Sequence, residues 1–253
     1  MADDRIPVPR QRTTTTAPGR LAAVLFDMDG TLLDSEPLWD ASLRALAAHH
    51  GGMLSGPARQ GMVGRDTRDA MAIFYRDLGL SDPDPAADRR FIAARMAELF
   101  ATGLTWRPGA AELVTAVRRA GVPTALVTST ARRLVEVALE HLLGRDSFDV
   151  VVCGNEVSAP KPHPESYRTA ASRLGVEITR CVAVEDSPAG VASARSAGAV
   201  VVGVPGEVAL APLDGVHLVP SLVAVDLPYL NSLVGGPPIV PADRPDRIGR
   251  AAP

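Results

Sequence analysis

Short apolar runs alternate with amphipathic stretches along most of the chain. Residues 21–26 form the first run, which is typical of a buried strand. Further strands are predicted at 124–128, 148–153, 181–184 and 199–204, with 216–219 and 222–225 as candidates for a final short strand. Helices are predicted between these strands, at 110–120, 130–143, 164–174 and 189–197. This alternation predicts an α/β fold, a three-layer, doubly wound parallel sheet covered by helices on both faces.

Residues 36–103 interrupt the alternation, because they contain helical patterns and no convincing strand. Apolar side chains recur at helical spacing around 38–46, 71–78 and 91–100. We therefore expect a small helical cap inserted after the first strand. Both ends of the chain are polar or rich in proline and charge, which is typical of disordered segments. The predicted organisation is a lead of residues 1–19, a core of 21–34 and 105–230, a cap of 35–104 and a loose tail of 231–253.

Composition and charge restrict the class of protein. The chain has 253 residues, of which 46% are hydrophobic, and a net charge of -3 that gives no sign of a nucleic-acid or membrane-surface partner. No stretch approaches the roughly 20 apolar residues of a membrane span, and residues 1–20 lack the apolar segment of a signal peptide. Cys153 and Cys181 lie in apolar runs, which favours buried free thiols in a reducing compartment. We expect a cytoplasmic monomer or weak homodimer.

Two carboxylates follow the first strand, one residue apart. Asp27 and Asp29 lie where Gly30 allows a sharp turn, at the edge where open α/β sheets build active sites. Asp27 could merely cap this turn, but two acids held together repel each other, and a structural role alone explains them poorly. The arrangement suits a carboxylate nucleophile, an acid/base partner and a divalent cation.

The ends of other predicted strands carry further polar groups. Thr128 ends one strand, and Glu185 with Asp186 ends another. Lys161 lies in a proline-rich approach to a helix and is the only lysine beside 25 arginines, which disfavours an ordinary surface role. Acids gathered without a cation would shift their pKa values or move apart. Hard oxygen ligands on a buried edge fit Mg²⁺.

These residues resemble the four motifs of the haloacid dehalogenase superfamily, in order. The motif residues are Asp27-Met28-Asp29-Gly30-Thr31, Thr128, Lys161 and Glu185-Asp186. The residues around these motifs are similar to those of the branch that holds sugar-phosphate phosphatases and β-phosphoglucomutases. The resemblance covers about residues 21–206. It implies a Rossmannoid core with a small mobile cap.

The resemblance implies a mechanism. Asp27 attacks phosphorus and becomes a phosphoaspartate, while Asp29 protonates the leaving alkoxide and then activates water. The implied catalytic residues are Asp27, Asp29, Thr128 and Lys161. The implied phosphate ligands are Thr128, Ser129 and Lys161, although Ser129 and Thr130 could instead be helix caps. The implied Mg²⁺ ligands are Asp27, the main-chain carbonyl of Asp29, Asp186 and, through water, Glu185.

The expected substrate is a small phosphomonoester, such as a sugar or polyol phosphate, and the cap is expected to select it. Residues 62–66 resemble the family's substrate-specificity loop, so Arg65 or Arg68 could contact a substrate hydroxyl or a second phosphate. A solvated helix face is the alternative. Trp39 is a further substrate candidate in the first cap helix.

Other reactions of the superfamily are less compatible with the sequence. Asp29 disfavours dehalogenation, and a cap without lysine disfavours phosphorus–carbon cleavage through an imine. β-Phosphoglucomutases have a histidine where this chain has Trp39, so a hydrolase is favoured over a mutase. The complete motif set disfavours a catalytically inactive binding module.

Overall fold

The computed structural model describes residues 20–63 and 67–235. The strands of these residues are β1 (Ala23–Phe26), β2 (Thr124–Val127), β3 (Val150–Val152), β4 (Cys181–Glu185), β5 (Val200–Gly203) and β6 (Val216–Leu218). They form one sheet in the order β3-β2-β1-β4-β5-β6, and all neighbours are parallel. The chain moves outward from β1 to β3 and then returns to β4. The carboxyl ends of β1, β2 and β4 therefore meet at a topological switch point, where such sheets bind ligands.

Helices fill the connection between β1 and β2. They are α1 (Glu36–His49), α2 (Gly56–Met62), α3 (Thr67–Asp77) and α4 (Pro85–Gly103), and we call them the cap. The cap has its own hydrophobic cluster, which includes Leu46 and Phe74. Met96 and Phe100 of α4 belong instead to the main core cluster, so α4 ties the cap to the core. The sequence pattern predicted α1, α3 and α4 but not α2, which is too short to show a helical period.

The remaining helices of the described residues cover both faces of the sheet. They are α5 (Ala110–Arg119), α6 (Arg132–Ala138), α7 (Glu165–Leu174), α8 (Pro188–Ala197) and α9 (Leu227–Leu233). Val24 and Phe26 of β1 pack with α5, α6 and α9, whereas Ala23 and Leu25 pack with α7 and α8. This division follows from the alternation of side chains along a strand. The predicted three-layer α/β fold is confirmed.

Some predicted boundaries were wrong. Residues 222–225, a candidate strand, form the 3₁₀-helix Leu222–Ala224, because the Ser221 hydroxyl accepts the N–H of Val223 and closes a turn. Helix α6 begins at Arg132 and continues as the π-helix Leu139–Leu143. Residues 231–233, assigned to the tail, belong to α9. Its buried Asn231 accepts the N–H of Leu21 at 3.1 Å, a long-range contact that no local pattern reveals.

Both cysteines are buried free thiols, as predicted. Burial raises the pKa of Cys153 to about 11 and that of Cys181 to about 12. Cys153 follows β3 and Cys181 begins β4, so each thiol packs beside the sheet. In the part of the chain that the structure describes, no helix has both the length and the apolar character needed to cross a bilayer.

Candidate active site

The chain leaves β1 in a tight turn at the carboxyl edge of the sheet. The N–H groups of Leu32 and Leu33 both bond to the carbonyl of Met28, and Gly30 has a φ of 78°. A Cβ at Gly30 would also collide with the carboxylate of Asp186. Glycine therefore provides both the left-handed backbone and the space that lets Asp186 approach β1.

The ammonium of Lys161 lies between two carboxylates. It donates to Oδ1 of Asp27 at 2.7 Å, to Oε1 of Glu185 at 2.6 Å and to the carbonyl of Val127 at 2.8 Å. The Lys161 side chain is only 5% exposed. Although burial opposes its charge, the carboxylates of Asp27 and Glu185 hold the pKa of Lys161 above its usual value. The three donors of one ammonium thus connect the ends of β1, β2 and β4.

Acids outnumber cations in this cluster. Asp27, Glu185 and Asp186 are buried, and each places one carboxylate oxygen within 4.8 Å of the others. Burial raises the pKa of Asp27 well above its ordinary value, and burial together with the charge of Glu185 raises that of Asp186 to about 7. Lys161 balances only part of this negative charge. The three carboxylates therefore fit a hard divalent cation, for which oxygen is the preferred ligand.

Asp29 has a different environment from Asp27. Its Oδ1 accepts the Ser35 hydroxyl at 2.7 Å and the indole N–H of Trp39 at 3.4 Å. Its Oδ2 accepts the hydroxyls of Thr130 at 2.6 Å and Thr128 at 3.4 Å. These donors are all neutral, and they come from the loop after β2 and from the start of the cap. The two aspartates are therefore held by different chemistry, although one residue separates them.

Most of the candidate residues meet at this edge. The structure brings together Asp27, Asp29, Thr128, Lys161, Glu185 and Asp186. Ser129 is exposed in the same loop, and Trp39 contacts Asp29. Arg68 is exposed on α3. Arg65 lies outside the described residues.

Sequence reasoning missed several hydrogen-bond donors of the site. Thr130 resembles a helix cap in the sequence, yet its hydroxyl donates to Asp29, and the side chain of Ser35 likewise donates to Asp29 instead of capping α1. Thr31 donates to Oδ1 of Asp186 at 3.0 Å. Tyr167 lies outside the sequence motifs, and its hydroxyl donates to Oε1 of Glu185 at 2.6 Å. A hydroxyl-bearing aromatic residue on the apolar face of α7 was the available signal.

A cavity of about 650 Å³ lies between the cap and the core beside the acidic cluster. Its walls include Gly30 and Gly206 of the core, Glu36 of α1 and Arg59 of α2. Arg59 donates from Nη2 to Oε1 of Glu207, in the loop after β5, at 2.8 Å. This ion pair joins the cap to the core. The cavity offers room for a small ligand at the edge of the acidic cluster.

The parallel sheet, the inserted helices and the acidic edge define a class of hydrolases. Residues 21–198 match the family model of the haloacid dehalogenase-like hydrolases. The chain belongs to this family, as the resemblance of its motifs predicted.

Characterised relatives cover most of the chain. Fructose-1-phosphate phosphatase YqaB of Escherichia coli strain K12 is 35% identical over 182 residues, covering 71% of this chain and 94% of the relative. A phosphorylated carbohydrates phosphatase of Thermotoga maritima is 33% identical over 178 residues, covering 70% and 82%. The crystal structure of CbbY from Rhodobacter sphaeroides in complex with phosphate has a TM-score of 0.74 and 31% identity, covering 83% of this chain and 99% of that chain.

Proposed function

We propose that the protein is a Mg²⁺-dependent phosphatase that hydrolyses a small phosphomonoester, a sugar or polyol phosphate, through a phosphoaspartate on Asp27. One observation carries this proposal. Asp27 is held by an ammonium and Asp29 by neutral hydroxyls, at the same strand end, so the two acids are equipped for different roles. Relatives that are phosphatases of fructose 1-phosphate and of phosphorylated carbohydrates support the substrate class.

In the first step, Asp27 displaces the alcohol of the substrate. Its Oδ1 is bound by Lys161, which leaves Oδ2 to attack phosphorus. The bond between phosphorus and Oδ2 forms while the bond to the leaving oxygen breaks, and protonated Asp29 gives its proton to the alkoxide. Lys161 and the loop with Thr128 and Ser129 bind the non-bridging oxygens of the phosphoryl group.

In the second step, water hydrolyses the phosphoaspartate. Asp29, now a carboxylate, accepts a proton from the water as its oxygen attacks phosphorus. The bond between phosphorus and Oδ2 of Asp27 breaks, and inorganic phosphate is released. Asp27 is again a carboxylate and Asp29 again carries a proton, so the cycle is complete.

The acidic cluster is the proposed Mg²⁺ site. Asp27, Asp186 and the main-chain carbonyl of Asp29 would hold the ion, with Glu185 acting through water. When bound, Mg²⁺ neutralises charge on the transferring phosphoryl group. The three buried carboxylates, gathered around a single ammonium, support this assignment.

We propose that the cap of residues 35–104 selects the substrate above a core of residues 21–34 and 105–230. Arg65 and Arg68 stay candidates for substrate contact, beside Trp39. The enzyme is proposed to act as a monomer or weak homodimer in the cytoplasm, an environment in which its two buried thiols would stay reduced.

A phosphosugar mutase is the second candidate. A mutase must keep water from the phosphoaspartate and return the phosphoryl group to a bound sugar. Trp39 contacts Asp29 through a 3.4 Å hydrogen bond, at the position where the mutases of the family have a histidine. Here a long hydrogen bond from an uncharged indole takes the place of the mutase histidine, and this difference favours the hydrolase. An inactive binding module is disfavoured by the complete set of reactive groups.

Phosphate release from p-nitrophenyl phosphate tests the mechanism, with and without Mg²⁺ and in the isosteric Asp27→Asn variant. We expect Mg²⁺-dependent turnover that the variant lacks. Turnover without Mg²⁺, or a variant as active as the wild type, would contradict the mechanism. Conversion of β-glucose 1-phosphate to glucose 6-phosphate, with a trace of the 1,6-bisphosphate and faster than phosphate release, would instead establish the mutase. A panel of sugar, polyol and nucleoside phosphates then identifies the substrate.

A further inference from the structure

Tyr167 lies directly beneath the reactive groups. Its side chain is fully buried on the inner face of α7, six residues after Lys161. The hydroxyl donates a 2.6 Å hydrogen bond to Oε1 of Glu185, the oxygen that also accepts the ammonium of Lys161. The centre of the phenol ring lies 5.1 Å from that ammonium. Tyr167 therefore contacts both members of the Lys161–Glu185 ion pair.

Other groups also restrict the orientation of the Glu185 carboxylate. Its Oε2 accepts the hydroxyl of Ser187 at 3.2 Å, so both oxygens have donors. On the opposite side, the backbone of Gly190 approaches so closely that a Cβ there would collide with the carboxylate. The donors and this wall leave Glu185 one orientation. Among the uncharged donors to Glu185, the hydroxyl of Tyr167 makes the shortest hydrogen bond.

Filling space does not require the hydroxyl. A phenylalanine would pack against Ala170 and Ala183 on the same face of the sheet without burying a polar group. Burying a hydroxyl costs stability unless it is hydrogen bonded, and here its bond goes to a carboxylate of the proposed metal site. The position of the polar atom therefore points to a role in the site in addition to packing.

We propose that Tyr167 is a positioning residue that orients Glu185 and Lys161 and thereby sets the divalent-cation affinity of the acidic cluster. Without the hydroxyl, Oε1 of Glu185 keeps only Lys161 as a donor among the described residues. The carboxylate then gains freedom to rotate, and the ammonium moves from Asp27 towards Glu185. Both changes disturb the carboxylates that receive the cation. The inference rests on the metal site of the proposed function, and it adds a residue that contacts neither substrate nor metal.

The test is the Tyr167→Phe variant, with Tyr229→Phe as the matched control. Tyr229 lies on α9, on the other face of the sheet, and only its main-chain groups have described hydrogen bonds. Mn²⁺ binding is measured without substrate, from the electron paramagnetic resonance signal of free Mn²⁺. We expect about 10-fold weaker binding in Tyr167→Phe, as for the loss of other groups that orient metal ligands, and unchanged binding in Tyr229→Phe. The Mg²⁺ concentration for half-maximal activity should rise by a similar factor, and kcat at saturating Mg²⁺ should fall less.

The results distinguish a failure of the proposed metal site from a failure of the proposed role of Tyr167. If the wild type itself does not bind Mn²⁺, the proposed metal site fails. If Tyr167→Phe is folded and binds Mn²⁺ like the wild type, the role of Tyr167 is wrong and the metal site stands. Ser187→Ala covers the case in which Tyr167→Phe does not fold, because it loosens the same carboxylate from its other oxygen. We expect about threefold weaker Mn²⁺ binding there, and unchanged binding in a folded Ser187→Ala variant would overturn the positioning model.

Discussion

The hydroxyl of Thr130 donates a 2.6 Å hydrogen bond to Oδ2 of Asp29. The two residues lie in loops that follow neighbouring strands, β2 and β1. Thr128 approaches the same oxygen at 3.4 Å, so Thr130 is the closer donor. On the other oxygen, Ser35 at 2.7 Å is closer than Trp39 at 3.4 Å. The orientation of the proposed acid/base therefore depends chiefly on Thr130 and Ser35.

Replacing Thr130 by valine should impair proton transfer. Thr130→Val keeps the shape of the side chain but removes the hydroxyl from Asp29, so we expect kcat to fall roughly 10-fold to 100-fold. General acid–base catalysis contributes about 10²–10⁴ in total. Steady-state kinetics with a sugar phosphate measure the effect, and Thr130→Ser should retain most of the activity. A Thr130→Val enzyme with unchanged kcat would show that Asp29 needs no such support.

Replacing Lys161 should lower the free energy of unfolding as well as the activity. In Lys161→Met, the buried carboxylates of Asp27 and Glu185 lose their shared partner. Breaking a buried ion pair costs about 3–5 kcal/mol, so we expect a loss of roughly 3 kcal/mol at pH 7. The loss should be smaller at pH 5, because Lys161 lowers the pKa of Asp27 and its removal lets that buried carboxyl take up a proton more readily than in the wild type. Urea unfolding measures the difference, with the half-exposed Arg173→Met as the control. Equal stability of Lys161→Met and wild type would contradict the burial of charge in this cluster.

A side chain added at Gly206 should weaken Mg²⁺ binding at the proposed metal site. A Cβ there would collide with Oδ2 of Asp186, so Gly206→Ala must displace that carboxylate. We expect the Mg²⁺ concentration for half-maximal activity to rise about 10-fold, a value typical of disturbed metal ligands. Gly56→Ala is the matched control, since a Cβ at Gly56 meets nothing within 4 Å. Identical Mg²⁺ requirements in both variants would exclude Asp186 from the metal site.

Glu36 should make stability depend on pH. Burial, followed by the neighbouring Glu207, raises the pKa of Glu36 to about 8 from an ordinary value of 4.5. The folded state therefore keeps a proton that the unfolded state releases, and stability decreases as pH rises from about 4.5 to about 8. Arg59 opposes this effect, because its charge lowers the pKa of Glu36, and the charge of Asp29 adds to it.

The Glu36→Gln variant should lack this decrease. Its Tm should exceed that of the wild type increasingly between pH 5 and pH 8 and by a constant amount above pH 8. Glu36 is 34% exposed, so solvent screening reduces the gain to the order of 1 kcal/mol, or about 2–4 °C. Differential scanning calorimetry across this range provides the measurement. A gain that is already complete at pH 5 would show that Glu36 titrates normally.

Parts of the fold could be predicted because their signals are local. The apolar run before Asp27 and the amphipathic stretches between later runs are readable within a few residues, and they predicted the parallel sheet and most helices. Helix α2 was missed because seven residues give no helical period. The residues at 222–225 were ambiguous because a short apolar run suits a strand or a 3₁₀-helix, and only the capping by Ser221 decides between them.

The candidate site likewise contains residues with local sequence signals, which could be predicted, and residues without them. The motif residues could be proposed from the sequence, since each lies at or near the end of a strand or shortly before a helix: Asp27, Asp29, Thr128, Lys161 and the pair Glu185-Asp186. Thr130 resembles a helix cap, and the bonds of Ser35 and Thr130 to Asp29 are not predictable from the sequence. Which acceptor a hydroxyl bonds to depends on distances between segments far apart in the sequence, such as the 101 residues between Thr130 and Asp29.

The sequence by itself determined the class of fold and the set of reactive groups, because the periodicity of apolar residues and the residue types at strand ends are local properties. Only the tertiary structure decided which groups meet. It placed one ammonium between Asp27 and Glu185, surrounded Asp29 with neutral hydroxyls and set Tyr167 beneath the cluster. The physical reason is that pKa values, hydrogen bonds and charge balance depend on distances of a few ångströms between groups from different strands. Those distances exist only once the sheet has brought the strand ends together.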